Sequence, residues 1–283
     1  MKNKFTFSTL LKYIALVLLF VYIISPFLWL LIMSVSSTAD LTTKPLNWIP
    51  KKIDTSAFKE LLTMGINSRG EMFMYALRNS LVTALTTVLI AMLITIPAAW
   101  VFSRFANRRN NLILSLAIFT FMLPPVAYCI PMYKILVRMN LMDNSFALAV
   151  VYCSFIIPFC AWLIKEGVDN IPFELEEASI IDGAGIFQRI KSIVLPLLLP
   201  TLGTVALMAL IMAWDEYFYA MLFTNSKSAT TLPVVISNLA SGRQSNYNLI
   251  AASGVLASAP PVLLGMIFQK ALIKGLTTGG VKG

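Results

Sequence analysis

The chain has 283 residues, of which 58% are hydrophobic and only 12% are charged. A soluble domain carries about 25% charged residues, so this composition cannot supply a water-facing coat, and a soluble globular fold is excluded. The formal charge is +9, from 22 Lys and Arg against 13 Asp and Glu; the basic residues flank apolar runs and form no stripe with interleaved aromatics, which argues for membrane lipid and against nucleic acid as a partner.

Lys2, Lys4 and Lys12 lead into an apolar run over residues 13–33. A cleavable signal peptide has an apolar core of about 7–15 residues. This run is longer, so an uncleaved first span is expected at about 13–34. Further apolar segments follow at about 79–102, 112–137, 145–165, 196–223 and 249–273. Each is long enough to cross a hydrocarbon core of about 30 Å as a helix. They lack the period-2 alternation of barrel strands, and open sheets cannot span lipid. The expected fold is an all-α integral membrane protein, a bundle of about six transmembrane helices forming a single domain over residues 1–283.

Orientation follows from the basic residues. The three N-terminal lysines, then Arg104, Arg108 and Arg109, then Lys270, Lys274 and Lys282 fall on one side if both termini are cytoplasmic. The 35–78 loop also holds Lys51, Lys52, Lys59, Arg69 and Arg78, but longer loops count less in this rule. Prolines recur within or near the spans (Pro26, Pro97, Pro124, Pro125, Pro131, Pro158, Pro200, Pro260 and Pro261). Each removes a backbone donor and can kink its helix. Cys129, Cys153 and Cys160 lie in apolar stretches without a CxxC pair and read as small hydrophobes.

The most informative stretch is the polar loop at about 166–193. Pro172 suits the first turn of a helix, and Glu174, Glu176 and Glu177 crowd the positive end of its dipole. Ala178, Ile180 and Ile181 supply apolar contacts before Gly183 and Gly185 interrupt the helix. A second piece over 186–193 carries Arg189 and Lys191 and leads into Leu195-Pro196. The pattern predicts a short helix, a bend and another short helix at the cytoplasmic face.

Glu177-Ala178-Ser179, three residues, Gly183, nine residues, Ile193, one residue, Leu195-Pro196 resembles the EAA loop of bacterial ABC-importer permeases. Six fixed positions match at fixed spacing, with Ser179 in place of the second alanine. The ending over residues 275–283 is similar to the carbohydrate-uptake branch, in the permease related to the second membrane subunit of the maltose-type importer. Trp214-Asp215-Glu216-Tyr217 is similar to that branch's Trp-Asn-Glu-Phe, and Thr231-Leu232-Pro233-Val234 matches in the next outer loop.

The resemblance implies an ABC-importer permease core in a bacterial cytoplasmic membrane. It implies three kinds of partner: a second homologous permease subunit, a cytoplasmic ABC ATPase dimer and an extracytoplasmic solute-binding protein. Glu177, Ala178, Ser179, Asp182, Gly183, Ile193, Leu195 and Pro196 would form the ATPase-coupling loop, with a cytoplasmic tail at about 274–283. Gly275, four residues, Gly280 imitates a phosphate loop, but Val281 stands where lysine must follow. No catalytic residue is expected here: the partner ATPase would use ATP and Mg, and this chain would bind no metal or cofactor. With no histidine, His-based triads, zinc sites and proton relays are also removed.

Asp215 and Glu216 are expected in the outer half of the fifth span, 19 residues after Pro196, which is about 28 Å of helix rise. With Trp214 and Tyr217 they are candidates for the translocation path. Trp100, Trp162 and Trp214 otherwise read as interfacial anchors. The function implied is inward movement of a sugar or oligosaccharide by alternating access. The alternatives are a non-sugar solute such as a polyol phosphate, or a stand-alone secondary transporter, which would show inverted repeats.

Overall fold

The computed structural model describes residues 7–45, 47–241 and 246–278. Among them the regular structure is helical. In chain order the helices are α1 (Phe7–Ser34), α2 (Thr38–Thr42), α3 (Ser56–Leu62), α4 (Arg69–Arg104), α5 (Arg108–Met122), α6 (Val126–Arg138), α7 (Ser145–Asp169), α8 (Glu174–Ile181), α9 (Ile186–Arg189), a π-helical turn Ile190–Val194, α10 (Leu195–Trp214), α11 (Phe218–Phe223), α12 (Leu232–Ala240) and α13 (Tyr247–Thr278). Among the described residues, five helical runs are long and apolar enough to cross a membrane: Thr9–Ser34, Arg69–Arg104, Ser145–Asp169, Ile186–Trp214 and Tyr247–Gln269. A sixth crossing exists only if α5 and α6, bent by 96° at their junction, are taken as one.

That bend corrects the single third span expected over 112–137. Pro124 and Pro125 follow each other, which removes two consecutive backbone donors and pushes the preceding residue out of the helical region. Leu123 accordingly sits at φ −71°, ψ 136°. The expected fifth span is also not one helix. α10 stops at Trp214, and α11 begins at Phe218. At its other end, the expected tail is partly helical: α13 runs to Thr278, while residues 279–283 lie outside those described.

The chain divides into two compact units, Met1–Met74 with Val235–Ala259, and Tyr75–Val234 with Pro260–Gly283. In the first, the most apolar window of α1 is 0% buried, an arrangement that costs nothing where lipid is the solvent. Trp48 folds back to place its ring 5.1 Å from that of Trp29 in α1. The entry to α4 packs so tightly on α3 that a Cβ at Gly70 would lie 2.2 Å from the Thr63 carbonyl oxygen and 2.4 Å from that of Glu60.

In the second unit α7 is the central helix, with 61% of its apolar window buried against 39% for the α10 run and 28% for α4. Small residues make this possible, because they let helix backbones approach closely in lipid. A Cβ at Gly167 would come 2.7 Å from Thr201 Cγ2 and 3.1 Å from Leu198 Cδ2 of α10. Toward α4, Thr87 Oγ1 lies 2.8 Å from the Thr83 carbonyl of its own helix and 3.3 Å from the Ala149 carbonyl of α7.

The beginning of α4 and the residues before α7 hold the 224–232 segment. Asn79 donates to the carbonyls of Lys227 and Thr230 at 2.9 and 3.1 Å. Ser80 Oγ accepts from Leu232 N at 2.8 Å. Asp143 Oδ1 accepts from Asn225 N and Ser226 N, each at 2.9 Å. Partial burial pushes the Asp143 carboxyl up, but the hydrogen bonds from Ser226 and Asn225 outweigh it and hold its pKa below the ordinary value.

Two predictions follow from this packing. Gly167→Val forces α7 off α10 and costs about 1–3 kcal/mol, read as a lower thermal midpoint of the detergent-solubilised protein; an unchanged midpoint contradicts the close approach. Because its folded pKa is lowered, Asp143 contributes its stabilisation fully above the ordinary carboxylate range and loses it as pH falls through the lowered value. Asp143→Ala at neutral pH therefore accelerates amide exchange at Asn225 and Ser226, by about tenfold for a loss of about 1.4 kcal/mol.

Candidate functional site

The loop between α7 and α10 is built from α8, a glycine turn, and a helix that does not stop. Pro172 lies just ahead of α8; Phe173 opens the first turn, its carbonyl accepting from Glu176 N at 2.9 Å and Glu177 N at 3.0 Å. The three acidic residues then diverge, because successive helix positions point about 100° apart. Glu174 and Glu177 are exposed, whereas Glu176 has 0% exposure. All three stand in the first turn, as expected, and Glu176 has a second role there.

The Glu176 carboxylate is held on both oxygens. Arg104 Nε donates to Oε1 at 2.7 Å, and Trp100 Nε1 donates to Oε2 at 3.1 Å. Arg104 and Trp100 are four residues apart at the end of α4, and so on one face of it. Arg104 Nη2 also donates to the Ile171 carbonyl at 2.9 Å. Its guanidinium carbon stands 5.6 Å from the centre of the Phe173 ring, and that of Arg189 stands 5.5 Å from the Trp100 ring. Alongside, Ser103 Oγ donates to Asp169, the last residue of α7, and Lys165 pairs with the same carboxylate, both at 2.5 Å. Trp100 is 3% exposed, so it is a buried donor and not the interfacial anchor expected. Removing one partner of a buried, hydrogen-bonded ion pair costs about 3–5 kcal/mol, because the other charge remains.

α8 ends in a Schellman turn. Gly183 N donates to the Ile180 carbonyl at 3.0 Å and Ala184 N to that of Ser179 at 2.9 Å, with Gly183 at φ 82°. This left-handed position favours glycine. Ser179, the departure from the motif, donates its hydroxyl to the Glu176 carbonyl at 2.7 Å. Asp182 caps the helix and is exposed. Ala178, Ile180 and Ile181, expected to supply apolar contacts, are all exposed among the described residues, Ile181 at 86%, as is Phe187 beyond the turn at 78%.

The second expected short helix is instead the start of the next span. α9, the π turn and α10 run without interruption from Ile186 to Trp214. Leu195 N donates to the Ile190 carbonyl, five residues back. Pro196 explains the widening: in a regular α-helix its ring would meet the carbonyl four residues earlier, and it has no N–H to offer that group. Ile193 and Leu195 are half-buried there, and Pro196 is exposed.

Trp214, Asp215, Glu216 and Tyr217 lie at the far end of α10, away from this loop. Trp214 is buried, and Asp215 caps α10 through its N–H to the Ile211 carbonyl at 3.0 Å. Glu216 accepts from Tyr219 N at 2.8 Å and Ala220 N at 3.2 Å, which starts α11. The two carboxylates therefore mark a break between helices, not the interior of a span. Tyr217 donates to Met221 Sδ at 2.9 Å. Next to them an aromatic cluster escaped the sequence reading: Tyr219 stacks on Phe155 and Phe223 at 6.1 and 5.8 Å and tilts on Tyr128 at 6.1 Å. Among the described residues no group of three His, Cys, Asp or Glu side chains is placed to hold a metal ion.

The family described as binding-protein-dependent transport system inner membrane component matches residues 92–278, which include the whole of this loop. The chain belongs to this family. The permease is 30% identical over 273 residues to the sulfoquinovosyl glycerol transport system permease protein SmoH of Agrobacterium fabrum, covering 96% of this chain and 94% of that one. It is 30% identical over 264 residues to the trehalose transport system permease protein SugB of Mycobacterium tuberculosis, covering 93% of each. Its fold matches a chain of a bacterial ABC transporter involved in the import of alginate, with a TM-score of 0.79 at 21% identity, over 95% of this chain and 98% of that one.

Gly183→Val places a branched side chain in the left-handed region, where the cost is about 1–2 kcal/mol. No atom stands within 4 Å of a Cβ built there, so the cost is conformational alone. Exchange of the amides at residues 183 and 184 of the permease is expected to accelerate by about 5–30-fold; equal protection in both proteins would contradict the assigned turn.

Proposed function

We propose that this permease is one of two membrane subunits of an ATP-driven importer for a sugar or oligosaccharide, with both termini cytoplasmic and the α8–α9 loop docked on a separate ATPase pair. The observation that carries the reading is the division of α8 into two faces. Glu176 turns inward to the permease body, while Glu177, Ala178, Ile181 and, past the turn, Phe187 remain uncovered. Such a face suits a partner groove: the carboxylate meets basic or backbone donors, the alanine permits close approach, and the apolar pair is removed from water.

The substrate class rests on relatives. The sugars and sugar derivatives in the names of SmoH and SugB, and the alginate of the structural neighbour, belong to those proteins. A second alginate transporter structure holds an alginate pentasaccharide-bound periplasmic protein, which supports an external binding protein as the source of solute here. In this mechanism the external protein delivers solute to the paired permeases. Closure of the ATPases on ATP then displaces the loop, and the helices exchange outward for inward access as rigid bodies. Nothing in this scheme asks the permease to bind ATP or Mg; both belong to the ATPases.

The test is gentle solubilisation of the tagged permease with identification of what co-purifies, followed by reconstitution with the recovered binding protein and a panel of oligosaccharides and polyol phosphates. The reading predicts recovery of an ATPase and a second permease, and ATP hydrolysis stimulated by binding protein loaded with a sugar. A chain that purifies alone and moves solute in ATP-free vesicles overturns the importer. Stimulation by polyol phosphates alone overturns the sugar.

A further inference from the structure

Of the eight residues of α8, all of them described, Glu176 alone is buried. At its two ends the helix continues into the rest of the second unit. One end is the short Ile171-Pro172-Phe173 link; the other is the turn at Gly183 and Gly185, both open on every side within 4 Å of a Cβ position. A helix attached so lightly can receive a push from a partner without passing it to any neighbour except the chain it continues into. The buried carboxylate changes that. It fixes α8 to Arg104 and Trp100 on α4, and Arg104 in turn holds the Ile171 carbonyl next to the end of α7.

We propose that the Glu176–Arg104 pair is a force-transmitting latch, which makes α8 and the end of α4 move together when a partner displaces the loop. This rests on the reading that the loop receives an ATPase. The push then enters the permease by two routes. One is covalent, through α9 and the π turn into α10. The other runs through the latch into α4 and, by Ser103 and Asp169, to the end of α7. Glu176 and Arg104 are positioning residues: neither lies on the uncovered face of α8, and neither contacts solute in this scheme.

An ion pair in such a setting is also better suited to a geometric task than to stability, since well-packed apolar replacements of a buried pair are often neutral or stabilising. That property supplies the test. Arg104→Met with Glu176→Leu removes the pair without leaving a buried charge. Both proteins are reconstituted as the full complex with ATPases, second permease and loaded binding protein, and solute moved per ATP hydrolysed is measured. A purely structural role reduces the amount of assembled complex and leaves that ratio unmoved. The latch predicts ATPase recovery close to wild type with at least a fivefold fall in solute moved per ATP. A wild-type ratio in the assembled double variant overturns it.

Should the double variant fail to assemble, hydrogen exchange on the wild-type complex decides. On adding ATP, amides at 100–105 and 174–181 are expected to change together. A change at α8 and α10 without one at the end of α4 overturns the latch. A wild-type permease that recovers no ATPase overturns the functional reading itself, and the latch with it; this outcome is distinct from an assembled complex whose ratio does not move.

Discussion

A carboxylate with no exposed surface must be neutralised and fully hydrogen-bonded where it lies, and Glu176 meets that demand with two donors from a single face of α4. The requirement works in both directions. Arg104, half a bundle away in sequence, needs an anion and a carbonyl around its fork of donors, and finds them in Glu176 and Ile171. The position of the whole loop follows from this exchange. With α8 set, Phe173 lies beside the guanidinium, Arg189 beside the indole, and the remaining face of the helix is left for another molecule. The outward chemistry of the loop is thus a consequence of one inward side chain.

The rest of the permease shows how a chain in lipid manages irregular backbone. Three of its breaks or distortions lie at prolines or next to a carboxylate. Leu123-Pro124-Pro125 turns α5 into α6 by 96°. Pro196 widens the helix before it into a π turn without ending it. Glu216 receives the first amides of α11 where α10 has ended. About 38 Å of α4 separates Asn79, which grips the 224–232 segment, from Arg104, which grips the loop. One helix therefore carries a fixed point at each end, and small residues on α7 let its neighbours close around it.

The apolar runs made most of the spans legible in the sequence, because length and composition are what a bilayer selects. They could not show where a run bends. Residues 112–137 stay apolar through their break, which only the backbone chemistry of Pro124-Pro125 makes; in 196–223 the Asp215-Glu216 pair stands at the break, but its effect on the backbone lies in the hydrogen bonds that Glu216 accepts. In the loop, Gly183 was readable as a turn, since the spacing placed it at the helix end and its φ of 82° favours glycine. The division of labour among Glu174, Glu176 and Glu177 was not readable, because three acids in four positions look alike until the direction of each is known. Arg104 was read only as an orienting charge and Trp100 only as an interfacial anchor, because their shared partner sits 72 residues further along the chain from Arg104. The motif drew attention to Glu177, one position away from the residue that fixes the helix.

The claim that most of this account depends on is that α8 and the end of α4 form one body. Spin labels at two exposed sites outside the docking face, Val101 on α4 and Leu175 on α8, report it directly in the full reconstituted complex. The account predicts that their separation stays within about 2 Å between the nucleotide-free and ATP-bound states. A change of about 5 Å or more between those states, the size of one helix turn, would contradict it.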